Sequence, residues 1–136
     1  MSKLILLGLF ITVLTSCSNQ PKKKSSEKAD MYEASEVSAT MRTMVEFSKQ
    51  AKKSLSEGQS VDSIPAVIWD LASATATRDE HKDEEFQTMV KPYLSALRGI
   101  ERGDSQSYYY HKSIDACKTC HAVYCGGPMA IINQLD

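Results

Sequence analysis

The chain has 136 residues, enough for one domain with a modest core and too few for several. Its 16 Lys and Arg against 17 Asp and Glu give a formal net charge of −1, which excludes the basic footprint of a nucleic-acid binder. Only four cysteines are present, and their uneven placement, one at 17 and three between 117 and 125, does not resemble a disulfide framework.

The first element is a targeting segment, residues 1–16, expected to be removed. Lys3 supplies a positive start, Leu4 through Leu14 form an apolar run, and Leu14-Thr15-Ser16-Cys17 follows with small residues before a cysteine. The run is shorter than the ~20 residues that a spanning helix needs, which argues against a transmembrane anchor. Leu-Thr-Ser-Cys resembles a bacterial lipobox, and the resemblance implies cleavage before Cys17 and acylation of its thiol and new amino group. A plain secretory signal is the alternative, since small residues before the cut are common to both. Residues 17–30 are rich in Ser, Lys, Asn and Gln with Pro21 and read as a flexible tether. Lys22-Lys23-Lys24 could touch anionic headgroups, although three lysines also suit a solvated leash.

Residues 31–136 carry helical patterning almost to the end. Val37, Met41, Met44, Ser48, Ala51 and Leu55 recur at spacings of four, three, four, three and four, one face of a first helix between an N-cap at Ser35 and a stop at Gly58. A second helix starts around Asp62-Ser63-Ile64-Pro65, runs through Val67, Ile68, Leu71 and Ala72, and closes near Arg78. The charged stretch Arg78 to Asp83 connects it to a third face: Phe86, Met89, Val90, Tyr93, Leu94, Leu97 and Ile100. The period survives Pro92, so this is one kinked helix. Gly103 ends it, and Asp104 or Ser105 caps the next. The fourth helix carries Tyr108, Tyr109, Ile114, Cys117, Cys120, His121 and Tyr124 up to Gly126-Gly127-Pro128. The tail from Met129 to Asp136 is expected to fold back over an open end with Ile131, Ile132 and Leu135. With no strand pattern and no repeat, the fold class is all-α: an antiparallel up-down-up-down four-helix bundle.

The chemistry sits in Cys117-Lys118-Thr119-Cys120-His121, a C-x-x-C-H run, the attachment signature of c-type haem. On a helix, Cys117, Cys120 and His121 share one face, so two thioethers and an axial imidazole can reach the same macrocycle. A zinc site built from Cys117, Cys120, His121 and Cys125 is disfavoured, because structural zinc joins two separated ligand pairs. A thioredoxin-like motif would need a βαβ context that the sequence lacks. Export and covalent haem agree with each other: Cys17 would take lipid, Cys117 and Cys120 would take one haem c, and Cys125 remains as a small buried hydrophobe, an intermolecular thiol or a haem-edge residue.

A haem motif at the end of a fourth helix, continued as Cys117-Lys-Thr-Cys-His-Ala-Val-Tyr124, resembles the class II c-type cytochromes, the cytochrome c prime group. The resemblance spans roughly Glu33 to Tyr124, strongest at the motif. It implies a four-helix bundle with covalently attached haem, His121 as proximal ligand and the first helix on the distal side. Many members carry Arg after the Tyr where this chain has Cys125, so a propionate contact from that position is not carried over.

In such a bundle the start of the first helix lies beside the end of the fourth. At about 1.5 Å per residue, His121 lies roughly 6 Å before the Gly126 break, Met41 about 9 Å and Met44 about 13 Å beyond Ser35. Met41 is thus the first candidate for distal iron ligand, a role the family resemblance also implies, and Met44 the second. Both could instead be core residues. Ligation by His121 and Met41 suits a single-electron carrier outside the cytoplasm. An open distal face would make the protein a five-coordinate binder of nitric oxide or another diatomic gas. No distal acid or base is evident, so the chain is not expected to be an enzyme. His111, some 15 Å from His121 along the helix, cannot be the opposing ligand. His81 is placed in a charged connection near the haem end, and Arg42, Arg98 and Lys118 are all candidates to neutralise propionates. The expected partners are redox proteins and, through the lipid, the membrane in a periplasmic or cell-envelope setting; pairing into a homodimer is compatible with this reading.

Overall fold

Helix formation begins where the sequence offers a cap. The computed structural model describes residues 34–76 and 84–136. The expected signal segment and tether, with Cys17 and the lysine run, and His81 lie outside the described residues. The Ser35 Oγ accepts a hydrogen bond from the Ser38 N–H at 3.2 Å and opens helix α1, Glu36–Ser56. Its start is fastened further by residue 75: the Val37 N–H donates to the Thr75 carbonyl at 3.1 Å, and the Thr75 N–H donates to Glu36 Oε2 at 2.7 Å. The helix stops at Gly58, φ +70°, where the Gln59 N–H donates to the Ser54 carbonyl at 2.8 Å and the Gly58 N–H to the Leu55 carbonyl at 3.1 Å. These two bonds satisfy the terminal carbonyls and need the left-handed conformation that glycine adopts without strain.

The expected face of α1 is buried at Val37, Met44, Ser48 and Ala51, with Met41 and Leu55 partly covered. Thr40 and Phe47 are buried as well, widening the stripe to the breadth of a helix covered by more than one neighbour.

The second helix is much shorter than the periodicity suggests. Helix α2 is Ala66–Trp69, followed by a 3₁₀ turn at Asp70–Ala72, and the chain is irregular by Ser73 rather than helical to Arg78. Beyond Ala72 the sequence Ser73-Ala74-Thr75-Ala76 has no large apolar side chain with which to extend the face. The Ser73 Oγ folds back to the Asp70 carbonyl at 3.0 Å, and Thr75 is committed to the start of α1. Ile68, Leu71 and Ala76 are buried, whereas Val67, expected on the inner face, is exposed.

Helix α3, Glu84–Glu101, runs through Pro92 as one helix, as its unbroken period requires. Pro92 and Thr88 are both exposed, so the Thr88 carbonyl that loses its helical partner faces water. A short turn through Gly103, φ +79°, leads to helix α4, Gln106–Tyr124. Ser105 occupies the N-cap position but in a left-handed conformation, φ 48°, with no side-chain cap bond. Gln106 provides the fastening instead: its Nε2 donates to the Ile100 carbonyl at 2.9 Å and the Val61 carbonyl at 3.0 Å, while its Oε1 accepts from the Val61 N–H at 2.9 Å.

The inner face of α4 passes through Tyr110, 3% exposed, rather than Tyr108, which is 57% exposed. The series 110, 114, 117, 121, 124 keeps helical spacing back from the motif, and Tyr108 falls outside it. Helices α3 and α4 make the most extensive helix pairing, and Gly99 is what permits it. A Cβ there would lie 2.2 Å from the Tyr109 ring. We expect Gly99→Ala to lower stability by about 1–3 kcal/mol, the range for overpacking, measured as the urea midpoint at constant m-value.

Helix α5, Met129–Ile132, brings the tail back over the core. Ile132 and Leu135 are buried as expected; Ile131 is 48% exposed. The Tyr110 hydroxyl donates to the Leu135 carbonyl, and Lys52 donates to the carbonyls of Gln134, at 3.1 Å, and Asp136. The described residues are all-α, with no strand among them, and none of their helices is long and apolar enough to cross a membrane.

Candidate functional site

The last two turns of α4 carry Cys117, Cys120, His121 and Tyr124 at spacings of three, one and three, so all four share one side of the helix. That side opens on a cavity of about 420 Å³, within the range of small-molecule and cofactor sites, roughly 300–1,000 Å³. The opposite wall comes from α1, where Val37, Met41, Met44, Val45 and Ser48 repeat at helical spacing. Phe86 of α3 and the tail residues Ile132 and Leu135 add to the lining. The fold therefore brings every metal or haem residue expected within the described chain to one place: Cys117, Cys120, His121, Met41 and Met44. A second pocket of about 30 Å³ has these same five residues in its wall and extends to Leu71, Met89, Val90 and Tyr93.

His121 is held by the break that follows it. Helix α4 ends at Tyr124, and Cys125 takes an extended conformation in which its N–H still donates to the His121 carbonyl at 3.2 Å. Its own carbonyl turns back to His121 Nδ1 at 2.9 Å. A carbonyl can only accept, so Nδ1 carries a hydrogen, and in the neutral imidazole Nε2 keeps its lone pair. Sequence spacing had no means of showing this contact, because it depends on where the helix unwinds.

Both motif cysteines are free thiols. Burial pushes the Cys117 thiol up to about 12, with the neighbouring Cys120 adding to the shift, and burial also raises Cys120. At neutral pH both are therefore protonated, unlike the depressed thiols of exchange catalysts. Cys125 is exposed, which removes the buried-hydrophobe reading. No group of three or more His, Cys, Asp or Glu side chains among the described residues is arranged to hold a metal ion, so Cys117, Cys120, His121 and Cys125 do not converge as a zinc set.

Three basic residues expected as propionate partners separate here. Arg42 lines the cavity, Lys118 is bound to Asp136 Oδ2 at 2.5 Å, and Arg98 is not in the lining. His111 faces Asp136 Oδ1 at 3.5 Å, on the surface as expected. Contacts at the C-terminal residue hold the tail over the cavity: Lys118 first, then His111, keep the Asp136 carboxyl below the usual carboxylate range. The backbone and hydroxyl of Thr75 do the same for Glu36 at the start of α1.

Both carboxyls have folded values below their unfolded ones, so the unfolded chain binds more protons as acid is added. Their stabilising effect is complete above about pH 5 and is lost as pH falls through the folded values, below the ordinary ~4 of free carboxyls. The urea midpoint should therefore drop between pH 5 and pH 3, and Asp136→Asn should reduce that drop.

Two further features were not visible in the sequence. Phe86 meets Tyr124 edge-on, ring centroids 6.0 Å apart, and fixes the floor of the cavity beside the motif. The Tyr93 hydroxyl is buried without a hydrogen-bond partner beside the smaller pocket. Over the described residues, fold and site together define an all-α unit with a mainly apolar cleft that presents two thiols, an imidazole and two thioethers. Compared with family models, curated proteins and solved structures, the chain matches none.

Proposed function

We propose that the protein is a c-type cytochrome: a helical bundle with one covalent haem c that carries single electrons outside the cytoplasm. The observation that carries this reading is the convergence of Cys117, Cys120, His121 and Met41 on one apolar cavity. Three properties of the residues suit the group. The thiols lie on one face, three residues apart, as two thioether links to one macrocycle require. His121 has its Nδ1 occupied by the Cys125 carbonyl, the outer-sphere bond that orients an axial imidazole and raises its basicity. The walls are mainly apolar, with Arg42 available for a carboxylate.

Cys117 and Cys120 would hold the haem covalently, His121 would ligate one face and Met41 the other, with Met44 packed behind. When bound, haem supplies a reversible one-electron couple at iron. The protein's part would be to hold His121 and Met41 in place so that little moves on electron gain, and to keep water off the cavity with Ile132, Leu135 and Phe86. The wall supplied by α1 is apolar at Val37, Met41, Met44 and Val45 and polar at Ser38, Arg42 and Ser48. Cleavage before Cys17 and its acylation would tether the bundle to the envelope membrane through residues 17–30, where redox proteins would be its partners.

The test is the absorption spectrum of the protein matured in an exporting bacterium. Haem that stays with the denatured polypeptide, and an oxidised protein showing the weak far-red band of thioether-ligated haem, are the expected results. A high-spin spectrum with ready carbon monoxide uptake would instead identify the five-coordinate gas binder.

A further inference from the structure

We propose that Tyr93 is a positioning residue whose hydroxyl donates a hydrogen bond to the sulfur of Cys117 once that sulfur has become a thioether, and so raises the reduction potential. The inference rests on the covalent-haem reading above and concerns a residue which that reading does not use.

Tyr93 projects from the middle of α3 and is 3% exposed, yet its Oη has no hydrogen-bond partner. A buried unpaired hydroxyl costs more than an ordinary hydrogen bond contributes, so a native protein retains one only for a reason. Tyr110, equally buried, shows the usual solution: its hydroxyl donates to the Leu135 carbonyl. Around Tyr93 no such oxygen is at hand. It shares its pocket with Leu71, Met41, Met44, Met89, Val90 and Ala116, none with a side-chain oxygen or nitrogen, and with the motif residues Cys117, Cys120 and His121. His121 already has its Nδ1 bonded to Cys125. Burial first, then Cys117 and Tyr110, hold the Tyr93 hydroxyl well above the usual phenol range, and Tyr110 is spent on the tail. The acceptors left in this wall are sulfurs, and of these Cys117 is the one that adds to the raised Tyr93 value.

Attachment changes what that acceptor can do. The Cys117 S–H adds across a vinyl C=C: a C–S bond forms, the hydrogen passes to the adjacent carbon, and no electron is gained or lost overall. The sulfur then has lone pairs and no hydrogen, so it can only accept. Among the described residues, Tyr93 carries the one side-chain hydroxyl in the wall of this smaller pocket. A donor on the thioether draws electron density from the macrocycle, which favours the reduced state.

The experiment is a redox titration of the full-length, haem-loaded protein in three forms: wild type, Tyr93→Phe and Met89→Leu. Met89 lines the same pocket without a donor, so its variant reports packing alone. At a fixed applied potential, Tyr93→Phe should raise the oxidised-to-reduced ratio about two- to fivefold, part of the worth of one neutral hydrogen bond. Its axial-ligand spectrum should be unchanged, and Met89→Leu should leave the ratio at the wild-type value. An unchanged ratio in Tyr93→Phe, or an equal shift in Met89→Leu, would overturn the assignment while leaving the cytochrome reading intact. Absence of covalent haem from the wild type would overturn both.

Discussion

With alanine at both Cys117 and Cys120, haem should be extracted completely by acidified organic solvent, whereas in the proposed c-type cytochrome the wild-type haem should stay with the polypeptide. The reason is bond type rather than affinity. Two thioethers survive unfolding, while an imidazole and a thioether on iron do not survive acid. Removing the thiols leaves the cavity wall otherwise intact, since each is a small side chain that is half-buried on the end of α4. Single variants should retain haem through one link, with an absorption maximum shifted because one vinyl group stays conjugated. Wild-type haem lost to the same solvent would remove the basis for a c-type cytochrome, whatever else the cavity binds.

Met41→Ala should abolish the far-red thioether band, lower the reduction potential and open the iron to carbon monoxide, with a small effect on folding because Met41 is only partly buried. Met44→Ala should behave in the opposite way. Met44 is 8% exposed in the core of α1, so truncation should cost about 2–5 kcal/mol and leave the spectrum unchanged. Both side chains reach the cavity, and the two variants separate ligand from packing. If the results exchange places, Met44 is the ligand. If neither variant alters the spectrum, the distal face is open and gas binding becomes the better account.

Much of the framework was legible in the residues. The period of α1 and its two ends, Ser35 and Gly58, follow from local chemistry: a hydroxyl that caps and a glycine that turns left-handed. The same is true of α3, whose apolar period outlasts Pro92 because the ring lies on the wet side. The motif residues could be placed on one helical face from spacing alone, and Met41 and Met44 could be put on the facing helix.

Failures occurred where a partner outside the segment decided. Helix α2 stops early because Thr75 bonds to the start of α1, thirty-odd residues away, an exchange that no local window contains. Ser105 does not cap α4, because Gln106 holds that corner through Val61 and Ile100. Tyr110 rather than Tyr108 is buried, a choice set by the tail that packs on it.

By itself, then, the sequence determined an all-α chain with a C-x-x-C-H run on a helix and methionines on another, because spacing along a helix fixes which residues share a face. Only the tertiary structure decided that Arg42 rather than Lys118 or Arg98 borders the cavity, that the Cys125 carbonyl orients His121, and that Tyr93 keeps an unpaired hydroxyl beside Cys117. Those are matters of which groups from distant segments meet, and packing settles them.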